Sequence, residues 1–198
     1  MKRGSNSDSW NSEHPMYGAV LDACVLVPNA LCDTLLRLGS RRFFRPLWSQ
    51  QILDEMAHAI RKVHPELSED QITRRISAMN GAFDDALVVG WEAVAAGLDL
   101  PDANDRHVLA AAIRAGAQAI VTFNLKDFPG DRLAGTDVSV AHPDSFLLDQ
   151  LDLHPGLVHQ VIEEQAADLA NPPSDVAGVL NRLERCGAPA FADAVRLL

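Results

Sequence analysis

The chain has 198 residues, 47% of them apolar and 22% charged, with three cysteines and a formal net charge of −10 at pH 7. That length suffices for one domain with a sizeable core, alone or with an appended helical piece, and the composition is globular rather than disordered. Cys24, Cys32 and Cys186 are widely spaced and form no CxxC pair, which suggests neither a disulfide framework nor a zinc knuckle and suits a reducing cytosol. The acidic balance argues against broad, metal-free gripping of nucleic acid by charge.

The acid excess is uneven: residues 17–142 hold 12 Lys+Arg against 16 Asp+Glu, and residues 143–198 hold 3 against 9. No apolar run approaches the roughly 18 to 20 residues needed to cross a bilayer, and a signal-peptide core is missing, so a cytoplasmic protein without membrane association is expected. Residues 1–16 open with the polar, Ser- and Asn-rich Met1 to Pro15 and read as a mobile leader.

In residues 17–25, YGAVLDACV, the apolar run Ala19, Val20, Leu21 ends in Asp22, and a second run, Val25 to Val27, meets Pro28. This reads as a strand buried on both faces, with Asp22 at its carboxyl tip. Ligands of open parallel sheets bind outside those tips, so Asp22 is a candidate site residue; the competing reading makes it a turn or cap residue.

Leu31, Leu35 and Leu38 share one face of a helix running from Pro28 to Gly39. Arg37, Arg41, Arg42 and Arg45 cluster at its end, either as favourable charge at a helix C-terminus or as a positive rim for phosphates. FRPLWS is a short second strand. Ser49 caps a helix with Ile52, Met56, Ala59, Ile60 and Val63 inward and with Glu55, rather than Asp54, at the stripe's edge. Pro65 breaks it, and Ser68 with Gln71 offers a capping box for a helix to about Phe83 with Ile72, Ile76 and Met79 inward. ALVVGW (86–91) is a third strand, followed by a helical turn over 92–96. Asp102 and Asp105 stand three apart at the start of an alanine-rich helix that Gly116 stops; strand AIVT, a polar loop with Asn124 and Asp127, and strand VSVAH (138–142) follow. Beyond Pro143 only helices are expected. Alternating strands and helices indicate a parallel α/β sheet with right-handed crossovers over 17–142, and residues 143–198 a helical extension.

Asp22, Glu55, Asp102, Asp105 and Asp127 each follow a strand or open the helix after one, positions that converge in such a sheet. Converging carboxylates repel unless a cation such as Mg²⁺ or Mn²⁺, which favours hard oxygen ligands, neutralises them. His107 lies about 200° round a helix from Asp105, on the wrong side for a general base, and reads as a surface or packing residue. Cys24 reads as a small buried hydrophobe.

VLDACVL around Asp22, ILDEM around Glu55, PDANDRHVLAAA around Asp105 and VTFNLKDF around Asp127 together resemble, in order and wording, the PIN domain, the nuclease fold of VapC-type toxins, over about residues 17–145. The resemblance implies a three-layer sandwich with a sheet of about five parallel strands. It implies a metal-dependent endoribonuclease that hydrolyses RNA phosphodiester bonds, the toxin of a type II toxin–antitoxin pair. Asp22, Glu55, Asp105 and Asp127 would be its catalytic quartet, and Asp22, Asp105, Asp127 and the auxiliary Asp102 its Mg²⁺ or Mn²⁺ ligands. Thr122 and Asn124 would be supports, and Arg41, Arg42 and Lys126 phosphate contacts. The implied partners are RNA and a cognate antitoxin, and apolar helices carrying Leu147, Leu148 and Leu151 suggest a homodimer. An alternative is a PIN fold of weak or no activity acting as a protein-binding regulatory module. A dehalogenase-like phosphatase also begins with a strand-end Asp, but needs a second Asp where this chain has Cys24.

Overall fold

The computed structural model describes residues 16–170 and 173–198, so the expected leader lies, except for Met16, outside the described residues. Strand β1 (Gly18–Leu21) is buried at every position, as a strand covered on both faces must be. The second apolar run does not extend it. Asp22 ends the strand and accepts a hydrogen bond from Ala23 N at 2.6 Å, starting the one-turn helix α1 (Ala23–Leu26). Pro28 leads into α2 (Asn29–Ser40), with Leu31, Leu35 and Leu38 fully buried.

Strand β2 (Arg45–Ser49) delivers Ser49, whose hydroxyl accepts from Ile52 N at 3.2 Å and caps α3 (Gln50–Val63). The stripe of α3 runs through Ile52, Leu53, Met56, Ala57 and Ile60; Ala59 is half-buried, and Val63, in the last turn, is exposed. The Ser68–Gln71 capping box opens α4 (Glu69–Ala82) as expected. Strand β3 is only Leu87–Val88, because Gly90 at φ +72° turns the chain away. After α5 (Glu92–Ala95) and a 3₁₀ turn, Ala103–Asp105, comes α6 (Arg106–Ala115), stopped by Gly116 in the left-handed region at φ +63°. Strand β4 (Ala119–Val121), the 3₁₀ turn Leu125–Asp127, α7 (Gly130–Leu133) and β5 (Ser139–Ala141) complete the sheet. Four helices follow: α8 (Pro143–Leu153), α9 (Pro155–Asp168), α10 (Val176–Arg185) and α11 (Pro189–Arg196).

The five strands are all parallel, in the order β3-β2-β1-β4-β5. Right-handed crossovers put α2, α3 and α4 on one face and α6 on the other. Ala110, Ala111 and Ala112, all fully buried, let α6 lie close to the strands. The order of connection reverses between β1 and β4, and the crevice beyond their carboxyl ends is where such sheets bind ligands.

The last helices fold back on α2. Thr34 Oγ1 donates to Gln165 Oε1 at 2.7 Å, and Gln165 Nε2 donates to the Ala30 carbonyl at 3.0 Å. Arg37 pairs with Asp168 at 2.8 Å, and Arg41 pairs with Glu164. Because α2 runs antiparallel to the strands, Arg41 and Arg42 lie at the amino end of the sheet, opposite Asp22, and the positive rim is not part of that crevice. The leucines offered for self-association are also used internally: Leu147 and Leu151 are buried and Leu148 half-buried. Among the described residues, no helix is long and apolar enough to cross a membrane.

Candidate active site

Pairing of Leu21 with Val121 brings the next residue of each strand, Asp22 and Thr122, side by side at the switch point. Asp22 is only 6% exposed, yet its carboxylate is well provided for. Oδ1 accepts from Ala23 N at 2.6 Å, and Oδ2 accepts from Thr122 Oγ1 at 2.7 Å and from Cys24 Sγ at 3.1 Å. Thr122 Oγ1 in turn accepts from Asn124 N at 3.0 Å, so Asn124 supports the site through its backbone while its side chain is exposed. Burial first, then the charge of Asp22, push the Cys24 thiol up to about 12. Cys24 is therefore a donor to Asp22 rather than merely a buried hydrophobe.

Asp105 ends the 3₁₀ turn before α6 and is half-buried. Asp102 takes the capping role there, accepting from Asn104 N at 2.8 Å, which leaves Asp105 free of the cap. Burial, followed by the charges of Asp22, Asp127 and Asp102, raises the Asp105 carboxyl to about 6. Three carboxylates, those of Asp22, Asp102 and Asp127, thus act on Asp105 at the carboxyl edge of the sheet. They do not touch: among the described residues, no three Asp, Glu, His or Cys side chains stand close enough to hold one metal ion as they lie. Asp22 is fixed, whereas Asp105 and Asp127 are half-exposed and Asp102 exposed. Lys126 is exposed beside Asp127.

Glu55, not Asp54, faces inward. Its Oε1 lies 3.0 Å from His107 Nε2 and accepts from Gln51 Nε2 at 3.2 Å, while Asp54 takes a bond from Gln50 on the outer surface. Burial alone would raise the Glu55 carboxyl; the hydrogen bond and charge of His107, aided by Gln51, hold it below the usual range. Glu55 is not one of the carboxylates that raise Asp105.

The family model described as PIN domain matches residues 18–126, more than half of the chain, from β1 into the 3₁₀ turn after β4. The chain belongs to the PIN-domain family. A second model, described as VapC50 C-terminal domain, matches residues 143–197, the span of α8 to α11. The protein named "Putative ribonuclease VapC50" from Mycobacterium tuberculosis (strain ATCC 25618 / H37Rv) is 40% identical over 134 residues, 68% of this chain and 78% of that relative. No solved structure matches the chain.

The PIN-domain match takes in Asp22, Glu55, Asp102, Asp105, Thr122 and Asn124 and stops one residue before Asp127. His107, read from the sequence as lying on the wrong side, proves to be a buried partner of Glu55. The projection misled because Asp105 belongs to a 3₁₀ turn, so angles counted from it at an α-helical pitch do not apply. The polarity of the RHV step inside an otherwise apolar helix was the available signal. A groove of about 720 Å³ lies away from this PIN-domain site, between α2, α4, α9 and α10, and touches none of its carboxylates.

Proposed function

We propose that this PIN domain is a metal-dependent endoribonuclease that hydrolyses RNA phosphodiester bonds in the cytoplasm, as the toxin of a type II toxin–antitoxin pair. The observation that carries the reading is Asp22: a buried carboxylate, held by three donors, at the switch point of a parallel sheet and acting on Asp105. The relative's name, which speaks of a ribonuclease, supports the same substrate class.

The donor set fits a hard divalent cation. The groups are carboxylate oxygens without a Cys/His cluster, and their mutual repulsion at Asp105 is what a cation relieves. Asp22, Asp105, Asp127 and Asp102 are the residues that would hold Mg²⁺ or Mn²⁺. Bound there, the ion would supply Lewis-acid activation of water and neutralise charge on the leaving 3′-oxygen. Asp22 is the preset ligand, its orientation held by Ala23 N, Thr122 and Cys24. Asp105, once deprotonated, would join it as a second ligand. Lys126, exposed at the rim, meets a phosphate of the RNA. The Cys24 thiol, pushed up to about 12 and bonded to Asp22, is not the nucleophile. Water is then the nucleophile, and the products carry 5′-phosphate and 3′-hydroxyl ends.

Incubation of the protein with RNA in Mg²⁺ or Mn²⁺ tests this directly. Cleavage that disappears in excess EDTA and in Asp22→Asn or Asp105→Asn, with circular dichroism unchanged, is expected. Full activity in EDTA would end the proposal. A second reading, a PIN fold kept as a protein-binding module, draws on the carboxylates standing apart rather than gathered. Absence of Mn²⁺ binding by calorimetry at millimolar metal, alongside a stable protein complex, would favour it.

A further inference from the structure

Glu55 projects from the second turn of α3 and its side chain is 41% exposed. A glutamate in that setting has several rotamers open to it unless something holds it. Gln51 sits one turn earlier on the same helix and is itself only half-buried, so it fixes little. The other partner is different. His107 comes from the first turn of α6, on the opposite face of the sheet, and its side chain is 3% exposed. Its ring packs against Trp91 with centroids 5.8 Å apart, so packing decides where it points. From there Nε2 reaches Glu55 at 3.0 Å across the carboxyl edge of the sheet, and the same ring acts electrostatically on Asp105. The remaining nitrogen, Nδ1, is buried and has no hydrogen-bond partner among the described residues. A buried polar atom left unpaired is unfavourable, and an apolar side chain would fill the space without that penalty. Among the described residues, the one polar contact this imidazole makes is with Glu55.

We propose that His107 is a positioning residue: by donating from Nε2 it keeps the Glu55 carboxylate at the carboxyl edge of the sheet, on the rim of the Asp22–Asp105 hollow. The donor must be Nε2–H, because a carboxylate offers only acceptors. This joins the two helical layers at the site, α3 contributing the acid and α6 the group that aims it. The proposal rests on the reading of Glu55 as a site residue, and its test separates the two.

A double-mutant cycle on the full chain combines His107→Leu with Glu55→Gln. Two quantities are read: kcat/KM for RNA cleavage in saturating Mg²⁺, and the Mn²⁺ dissociation constant by calorimetry. Outer partners of active-site carboxylates are typically worth about 10–100-fold in affinity or activity, and His107→Leu is expected to lower kcat/KM by that much and to move the Mn²⁺ dissociation constant less, because Glu55 is not among the four ligands. In the Glu55→Gln background the same substitution should change them by less than about 2-fold, because its target is gone. His107→Gln, which retains a side-chain N–H, should restore most of the loss. Equal losses in both backgrounds, or no loss at all, would overturn the proposal. Should His107→Leu fail to fold, His107→Phe takes its place in the cycle. Asp22→Asn is the control: if it stays active, the site reading falls and the positioning role with it; if it is inactive while His107→Leu is not, only the positioning role falls.

Discussion

At Asp105 the repulsion from neighbouring carboxylates becomes measurable. Unfolded, the carboxyl titrates near 3.8; folded, burial and the charges of Asp22, Asp127 and Asp102 raise it to about 6. Between those values the folded chain binds a proton that the unfolded chain lacks. The residue's contribution to stability therefore falls as pH rises through that window and is flat above it. In thermal melts in EDTA from pH 4 to pH 8, Asp105→Asn should gain on the wild type as pH rises, the difference levelling above about pH 6. A difference independent of pH would contradict this origin of the shift. At Asp22 the carboxylate is held by three hydrogen bonds. Thr122→Val removes a donor from a buried carboxylate and an acceptor from Asn124 N, and urea unfolding should show a loss of about 1–3 kcal/mol. The placement of Asp22, Asp105 and Thr122 at the carboxyl edge of the sheet was legible because each ends a strand or opens a helix. What holds them was not: Cys24 and His107 act through contacts that depend on how two strands and two helix starts meet, which no local period encodes.

The elements were legible where their ends carry chemistry. Ser49, the Ser68–Gln71 box and Gly116 each set a helix boundary through a specific hydrogen bond or backbone angle. Val25 to Val27 misled because three apolar residues suit a buried strand and a buried helical turn alike. One contact between elements reaches the site from far along the chain. Gly187, at φ +91° between α10 and α11, lies so close to Phe123 that an added Cβ would stand 2.7 Å from the ring. Phe123 separates Thr122 from Asn124 and meets His142 edge-on with centroids 5.2 Å apart. Gly187→Ala should lose about 1–3 kcal/mol from the left-handed backbone alone. Displacement of Phe123 should also lower RNA cleavage in metal. Gly81→Ala, in α4 with open space around it, is the contrast. It should raise stability by up to about 1 kcal/mol without touching activity. Equal behaviour of the two variants would show that Gly187 matters only as a turn.

At the scale of the molecule, the acid excess of residues 143–198 is partly spent inside the chain. Glu164 and Asp168 neutralise Arg41 and Arg37, and Gln165 serves the buried hydroxyl of Thr34 and the Ala30 carbonyl. A fragment ending at residue 142 would take Gln165 away from Thr34 and leave one face of α2 uncovered. It should lose cooperative melting, and a soluble, cooperative and fully active fragment would contradict that dependence. The parallel sheet was legible from alternation, but the seating of α9 and α10 on α2 was not, since amphipathic periods say which face is buried and not against what. The whole arrangement serves one claim, that the β1–β4 switch point is a cation site for cutting RNA. The most direct measurement is anomalous diffraction from crystals grown in Mn²⁺. The account predicts a peak between Asp22 and Asp105 that Asp22→Asn abolishes; a peak lodged elsewhere, with the hollow empty in an enzyme that cleaves RNA in the same Mn²⁺, would contradict it.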